Sequence, residues 1–387
     1  LNPGGSLSRT KAFWAIYLSV GVSYLGVGLV APLISIVLSV RGADTFVVGL
    51  VGTTMFAAFT LASFPVGKAT DRIGPKPILT AGLVVYGVSI LLFAFIQDIG
   101  LFFAVRAIEG IGAAAISVAT ETMISQLSAP AERARRMSYY ALSVGLGWAA
   151  GPIAGTVMFE IRPGAPFVAG FAFSLFAALL AALFIPRTPP EDLHSEESYS
   201  GISSMIVVPL SAGALYGYLM SSLVTLIPIY LKAIAIEEQQ MGLIITSVIL
   251  GTLASQVPLG WAADRFGRRR TLLFCSSAVA AVFAVMPFYS DWRVFMLTGA
   301  LVGAMAGSLY PIGLSIIGDI VSKDRLGAAT SLFSLAFGIG SLVGPGASGF
   351  AMNHLGGGWL FYLPALLTAT FCVEMIALYR QTASRKG

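Results

Sequence analysis

Arg106, Glu109 and Glu121 are ionisable residues set in one long apolar stretch, where few neighbours could solvate a charge. A charge inside a bilayer costs about 3 kcal/mol or more, so intramembrane charges are functional candidates by default. Arg106 and Glu109 are three apart, about 60° from each other around a helix, and can pair. With Arg106 toward the outer half and Glu109 near the midplane, the carboxylate is suited to exchanging a proton. Read plainly, the same pair is an ion pair that orients helices. Glu121 lies fifteen residues past Arg106, on the same face and about 22 Å further in. There it can line an inner cavity, attracting a cation or passing a proton, or simply reach the membrane interface. Asp319 and Glu374, near the inner ends of later apolar stretches, read as a contact between halves and a helix-end charge.

Other candidates are aromatic or weakly polar. Tyr216, Tyr218, Ser221, Ser222, Thr225 and Tyr310 lie among apolar neighbours in the second half of the chain, and Tyr24 and Trp148 in the first. Such a cavity suits an amphipathic or apolar solute better than a sugar, which needs many fixed hydrogen-bond partners. Each of these side chains can equally face lipid or a neighbouring helix. No phosphate-binding G-x-x-x-x-G-K-[ST] loop, H-E-x-x-H or nucleophile elbow is present, so neither ATP-driven transport nor an enzyme is expected. Cys275 and Cys372 sit in apolar runs and the two histidines in loops, so no metal site or other cofactor is expected.

The elements that must position these groups follow from composition. Of 387 residues, 57% are hydrophobic and 11% charged, against about 25% charged in soluble proteins. A soluble fold, a disordered chain and a nucleic-acid binder are excluded, despite a net charge of +5. A spanning helix needs about 20 apolar residues. Twelve such spans are predicted, at residues 12–38, 45–66, 78–97, 100–124, 137–159, 165–185, 204–231, 240–261, 271–289, 294–318, 327–351 and 358–379. Continuous hydrophobicity favours an all-α bundle over the alternation of a barrel, and glycines within spans permit close helix approach.

Lys and Arg give the orientation. With the N-terminus inside, 18 of the 23 fall on one side, which puts both termini in the cytoplasm. The run after Arg9 and Lys11 is long enough to span, so it does not read as a cleaved signal peptide. Short loops point to a prokaryotic inner membrane. The polar, proline-led segment 187–203 reads as a cytoplasmic linker between six-span bundles at 1–186 and 204–387.

The bundles repeat one another. Gly67-Lys-Ala-Thr-Asp71-Arg72-Ile-Gly74 returns as Gly260-Trp-Ala-Ala-Asp264-Arg265-Phe-Gly267, displaced by 193 residues. The same displacement carries Gly49, Pro65 and Gly110 onto Gly242, Pro258 and Gly303, and Gly147-xxx-Gly151-Pro152 onto Gly340-xxx-Gly344-Pro345. Two parallel six-helix repeats follow. Gly67 and Asp71 share a helix face, where a missing side chain would admit a neighbouring helix. Gly74 suits a tight left-handed turn. Arg106, Glu109 and Glu121 map onto Gly299, Val302 and Leu314, so coupling chemistry belongs to the first half.

These segments resemble the signature loops of the major facilitator superfamily, and the resemblance covers the whole chain. It implies that Asp71, Arg72, Asp264 and Arg265 latch one state of an alternating-access cycle. Leu25-Gly26-xxxxx-Pro32-Leu-Ile-Ser35 is similar to a first-span motif of drug:proton antiporters, with Ser35 in place of a second proline. Gly147-xxx-Gly151-Pro152-xx-Gly155 resembles an antiporter glycine–proline motif, and its spacing alone reads as a close-packed, bendable contact. Arg106-Ala-Ile-Glu109-Gly110-Ile-Gly112 resembles R-x-x-Q-G-x-G, with an acid replacing the amide. Gln126 stands where related transporters carry an acid.

The expected protein is a twelve-helix secondary transporter, acting as a monomer, that exchanges protons for small amphipathic compounds. Arg106, Glu109 and Glu121 would carry coupling. Carriage of a metabolite such as an organic acid, with Arg106 on its carboxylate, is the competing expectation. A non-transporting membrane sensor is a more distant one.

Overall fold

A computed structural model describes residues 3–129, 132–187, 206–322 and 325–384. Apart from its first residue, the expected linker at 187–203 lies outside the described residues. The described residues form thirteen α-helices and no strand. In order they are α1 (Pro3–Val40), α2 (Thr45–Ile73), α3 (Pro75–Phe93), α4 (Ile99–Leu127), α5 (Arg133–Ile161) and α6 (Ala165–Phe184). Then come α7 (Val207–Ala233), α8 (Glu238–Phe266), α9 (Arg268–Val285), α10 (Trp292–Ala306), α11 (Leu309–Ile320), α12 (Leu326–Leu355) and α13 (Trp359–Ser384). Twelve spans are long and apolar enough to cross a membrane, one at each expected place, with α10 and α11 together making the tenth. In lipid every backbone polar group must be satisfied within the segment, and a helix does this.

The chain divides into two compact units, Leu1–Gly42 with Thr54–His194 and Ala43–Thr53 with Ser195–Gly387. In the first, α1 packs on α5 and α6, and α3 on α4 and α6. In the second, α7 packs on α12 and α13, and α9 on α13.

Local stereochemistry repeats as the sequence does. Asp98 caps α4, accepting from Leu101 N at 3.1 Å, and Asp291 caps α10, accepting from Arg293 N at 2.8 Å. These residues are 193 apart. Gly74 and Gly267 begin α3 and α9 at φ +91° and +99°. Their ψ values of 154° and 130° place both in the extended positive-φ region rather than the left-handed helical turn expected for Gly74. That region is essentially reserved for glycine.

Small residues let the helices touch through backbone. A side chain at Gly147 would collide with the Gly21 carbonyl, and one at Gly151 with the backbone of Gly28. The second unit repeats both contacts at the same displacement: Gly340 meets Ala214, and Gly344 meets Ser221. Gly110 against Met55 likewise becomes Gly303 against Val248. Gly67 and Gly260 behave otherwise. Among the described residues a Cβ on either would meet nothing within 4 Å, so no described helix fills the space over Gly67 as expected.

The tenth span was expected to be one helix over 294–318 and is broken at Gly307–Ser308. Pro311 has no N–H to donate to the carbonyl four residues back, and its ring crowds that position. Ser308 N turns to the Met305 carbonyl at 3.3 Å, which frees the carbonyl of Ala304. Helix α8 supplies the donor that Ala304 lacks, and adds a second one to Gly303, which already accepts from Gly307 N at 2.9 Å. Ser255 Oγ donates to Ala304 O at 2.9 Å and Thr252 Oγ1 to Gly303 O at 3.0 Å.

Candidate proton and substrate site

Helix α4 carries the charged residues on one stripe. Leu101, Ile108 and Ile111 are exposed on the opposite face, as a lipid-facing stripe requires. Arg106 and Glu109 are both buried, and Arg106 Nη1 meets Glu109 Oε2 at 2.8 Å. The arginine also lies 5.6 Å from the centroid of the Phe93 ring on α3. Tyr86, from the same helix, is buried with its backbone against Gly112 of α4. Arg106 Nε is buried without a partner. The pair is thus neutral as a whole, held between α3 and α4, and shielded from water.

Glu121 sits differently. It is exposed, but on the face of α4 away from the lipid stripe. Ser117 Oγ donates to Glu121 Oε1 at 2.9 Å. Tyr24 of α1 and Tyr140 of α5 are half-buried. The sequence pointed to Tyr24 and Glu121 but missed Ser117. A serine one turn before an intramembrane glutamate was the available signal for Ser117.

The stripe Gly147, Gly151 and Gly155 packs along α1, with Gly155 against Leu29. Pro152 leaves α5 unbroken while depriving the Trp148 carbonyl of its helical donor. That carbonyl lies at Gly28, which has no side chain to obstruct it. Trp148 itself is half-buried.

Comparison with known proteins fits this geometry. The Major Facilitator Superfamily sequence model matches residues 16–234 and 209–387. This chain belongs to the major facilitator superfamily. Relatives of this facilitator include an uncharacterized MFS-type transporter, YfkF, of Bacillus subtilis, 27% identical with 94% of each chain covered. A class G tetracycline resistance protein of Vibrio anguillarum is 26% identical, covering 93% of this chain and 95% of its own. The multidrug efflux protein YfmO of Bacillus subtilis is also 26% identical, covering 90% and 88%. Among solved structures the nucleoside transporter NupG matches in fold at TM-score 0.80 and 13% identity, over 95% of this chain and all of its own. The protein is an integral, multi-pass membrane transporter.

The signature loops of this facilitator differ between units. In the second, Arg268 Nη1 meets Asp319 Oδ1 at 2.7 Å and Arg268 Nη2 meets Asp264 Oδ1 at 3.7 Å. Arg268 also donates to the Ser315 carbonyl. Asp319, expected to contact the other half, therefore pairs within its own unit. Arg265 lies over Trp261 at 5.2 Å, so the cation at the centre of this cluster is Arg268, which the sequence reading had counted only among topology-setting charges. In the first unit Pro75 and Gln126 stand at the positions of Arg268 and Asp319, and Gln126 Oε1 is buried without a partner. Asp71 is half-buried and Arg72 exposed.

The aromatic candidates of the second unit separate into two groups. Tyr218 and Ser221 are buried in the α7–α12 contact, and the Tyr218 hydroxyl shares a 2.6 Å hydrogen bond with Ser348. They support packing there rather than an open surface. Tyr216 and Tyr310 remain half-buried, with ring centroids 5.8 Å apart, and Tyr310 packs on Phe333 at 4.8 Å. Tyr310 and Phe333 stand 193 residues after Ser117 and Tyr140. The aromatic contact of the second unit thus falls at positions held by a serine and a tyrosine in the first.

Proposed function

We propose that this facilitator exports small amphipathic compounds in exchange for protons, by alternating access. The observation that carries the reading is the buried, hydrogen-bonded Arg106–Glu109 pair, which has no ionisable equivalent in the second unit. Protonation of Glu109 cancels its attraction for Arg106 and leaves a buried cation unpaired, a state several kcal/mol less favourable unless the site opens or rearranges. Proton uptake at that carboxylate is thereby linked to a change of structure. The efflux relatives support the outward direction of transport. The Lys and Arg distribution supports cytoplasmic termini, and short loops support an inner-membrane setting. Tyr24 and Trp148 of the first unit, and separately Tyr216 and Tyr310 of the second, are half-buried aromatic surface available to a solute, and Asp264, Arg268 and Asp319 a charge latch for the cycle.

The organic-acid alternative needs Arg106 free for a carboxylate. Its guanidinium is already engaged by Glu109 and buried, which favours export of neutral or cationic compounds. Purified protein in sealed liposomes containing a pH-sensitive dye tests the reading. Lipophilic cations, neutral drugs and small organic acids are added in turn, to wild type and to Glu109→Gln. Proton movement evoked by cations or neutral drugs, and lost in the variant, is expected. A response to organic acids alone, or silence across the panel, overturns it.

A further inference from the structure

At one end of the second unit, exposed apolar surface runs into arginines that no acid balances. On α8, Leu250, Val257 and Trp261 are exposed, and Arg265 follows one turn later, within about 80° of them around the helix. On α9, which packs on α8, Phe274 and Val285 are exposed, and Arg270 lies one turn before Phe274 on the same face. The Arg265 guanidinium lies 5.2 Å from the Trp261 ring centroid and 5.9 Å from that of Phe266. These two rings meet edge to face at 6.1 Å, and all three side chains are exposed. Arg268 takes up Asp264 and Asp319. Among the described residues no acid forms an ion pair with Arg265, Arg269 or Arg270. The first turn of α9 holds no acid to offset its arginines, an arrangement that the helix dipole disfavours.

We propose that this end of α8 and α9 binds the headgroup of an anionic phospholipid. The proposal goes beyond the export reading and does not depend on it. The span of α8 ends at Phe266 and that of α9 begins at Arg268, so these arginines stand at headgroup depth. A guanidinium presents a planar fork of donors that matches two phosphate oxygens. Lying over an aromatic ring leaves that fork free for the phosphate, and tryptophan is itself favoured at the membrane interface. The occupant must be amphipathic. The arginines call for an anion, and the exposed apolar surface beside them calls for acyl chains. Inorganic phosphate answers only the first.

Setting topology does not require this arrangement. At the opposite end of the unit Arg293 also lies over a tryptophan, Trp292 at 5.5 Å, but there an acid, Asp291, stands two residues away. In the first unit Lys68, Ile73 and Pro77 occupy the positions of Trp261, Phe266 and Arg270. One such lipid per protein is therefore expected.

Native mass spectrometry of the detergent-purified full chain tests this, with phosphatidylglycerol and phosphatidylcholine of the same acyl chains titrated in turn. Wild type is expected to retain one phosphatidylglycerol at least tenfold more tightly than phosphatidylcholine. The double variant Arg265→Gln with Arg270→Gln should weaken that retention at least tenfold, and Trp261→Leu several-fold. Arg293→Gln, which removes one charge from the other end of the same unit, should behave as wild type. If the double variant elutes as aggregate on size exclusion, the two single substitutions and Trp261→Leu carry the test. Equal retention of the two lipids by wild type, unchanged retention in the variants of Arg265 and Arg270, or equal loss in Arg293→Gln overturns the proposal. So does displacement of phosphatidylglycerol by millimolar inorganic phosphate, which would make a soluble anion the ligand.

Discussion

Gly151 and Gly28 lie so close that the backbone of one occupies the space a Cβ on the other would need. The contact sits beside Pro152, and its repeat between Gly344 and Ser221 joins the corresponding helices of the second unit. In the first unit the seam is backbone against backbone, while in the second Gly340 meets the Ala214 backbone and Gly344 the hydroxyls of Ser221 and Ser222.

Gly151→Ala should force α5 and α1 apart. Overpacking of a tight contact costs about 1–3 kcal/mol, and thermal unfolding in detergent should drop accordingly. Gly67→Ala and Gly260→Ala are the counterparts, because their added methyl groups enter open space. Their melting temperatures should match wild type, and any loss of transport in them would come from another state of the cycle.

Removing one member of the Arg106–Glu109 pair should be worse for stability than removing both. Breaking a buried pair typically costs about 3–5 kcal/mol, whereas replacing it with apolar residues is often neutral. Glu109→Leu alone should therefore melt well below the double variant Arg106→Met with Glu109→Leu. Both should fail to move protons in liposomes. Equal melting of the single and double variants would mean the charges do not pair in the membrane.

Gly74→Ala and Gly267→Ala place a side chain in backbone regions reserved for glycine, at about 1–3 kcal/mol each. Because the two glycines share one geometry, the losses in melting temperature should be alike and should add in the double variant. Sites so far apart in sequence, each strained locally, have no reason to couple.

Arg268→Gln removes both ion pairs of the second signature loop. All three side chains are partly or largely exposed, so the stability change should stay within about 1 kcal/mol. Transport should suffer far more than melting. High salt should narrow the difference in melting between variant and wild type, since exposed pairs are screened.

Hydropathy carried most of the fold, since a bilayer demands about twenty apolar residues for each span and leaves few alternatives. The glycine repeat was legible for a related reason: two backbones in contact tolerate almost no other residue. What stayed hidden depended on partners distant in the chain. The break at Gly307 was hidden within an apolar run, although Pro311 marked it. Arg268 resembled its basic neighbours until Asp319 was seen across from it. Glu121 was visible as a charge out of place, yet its hydrogen bond from Ser117 depends on side-chain rotamers that spacing alone does not fix.

The two pieces of the tenth span, 15 and 12 residues, reach only about 22 and 18 Å, and neither alone crosses 30 Å of hydrocarbon. The two pieces therefore cross the bilayer only together, as a span of 29 residues. The break between them leaves the Ala304 carbonyl dependent on the Ser255 hydroxyl, on a different helix. Synthesis runs from the N-terminus, so α8 is already waiting in the lipid when the tenth span arrives. Loss of the Ser255 hydroxyl should thus leave a carbonyl unsatisfied in lipid until α8 and the tenth span are together, a defect of maturation rather than of the transport cycle.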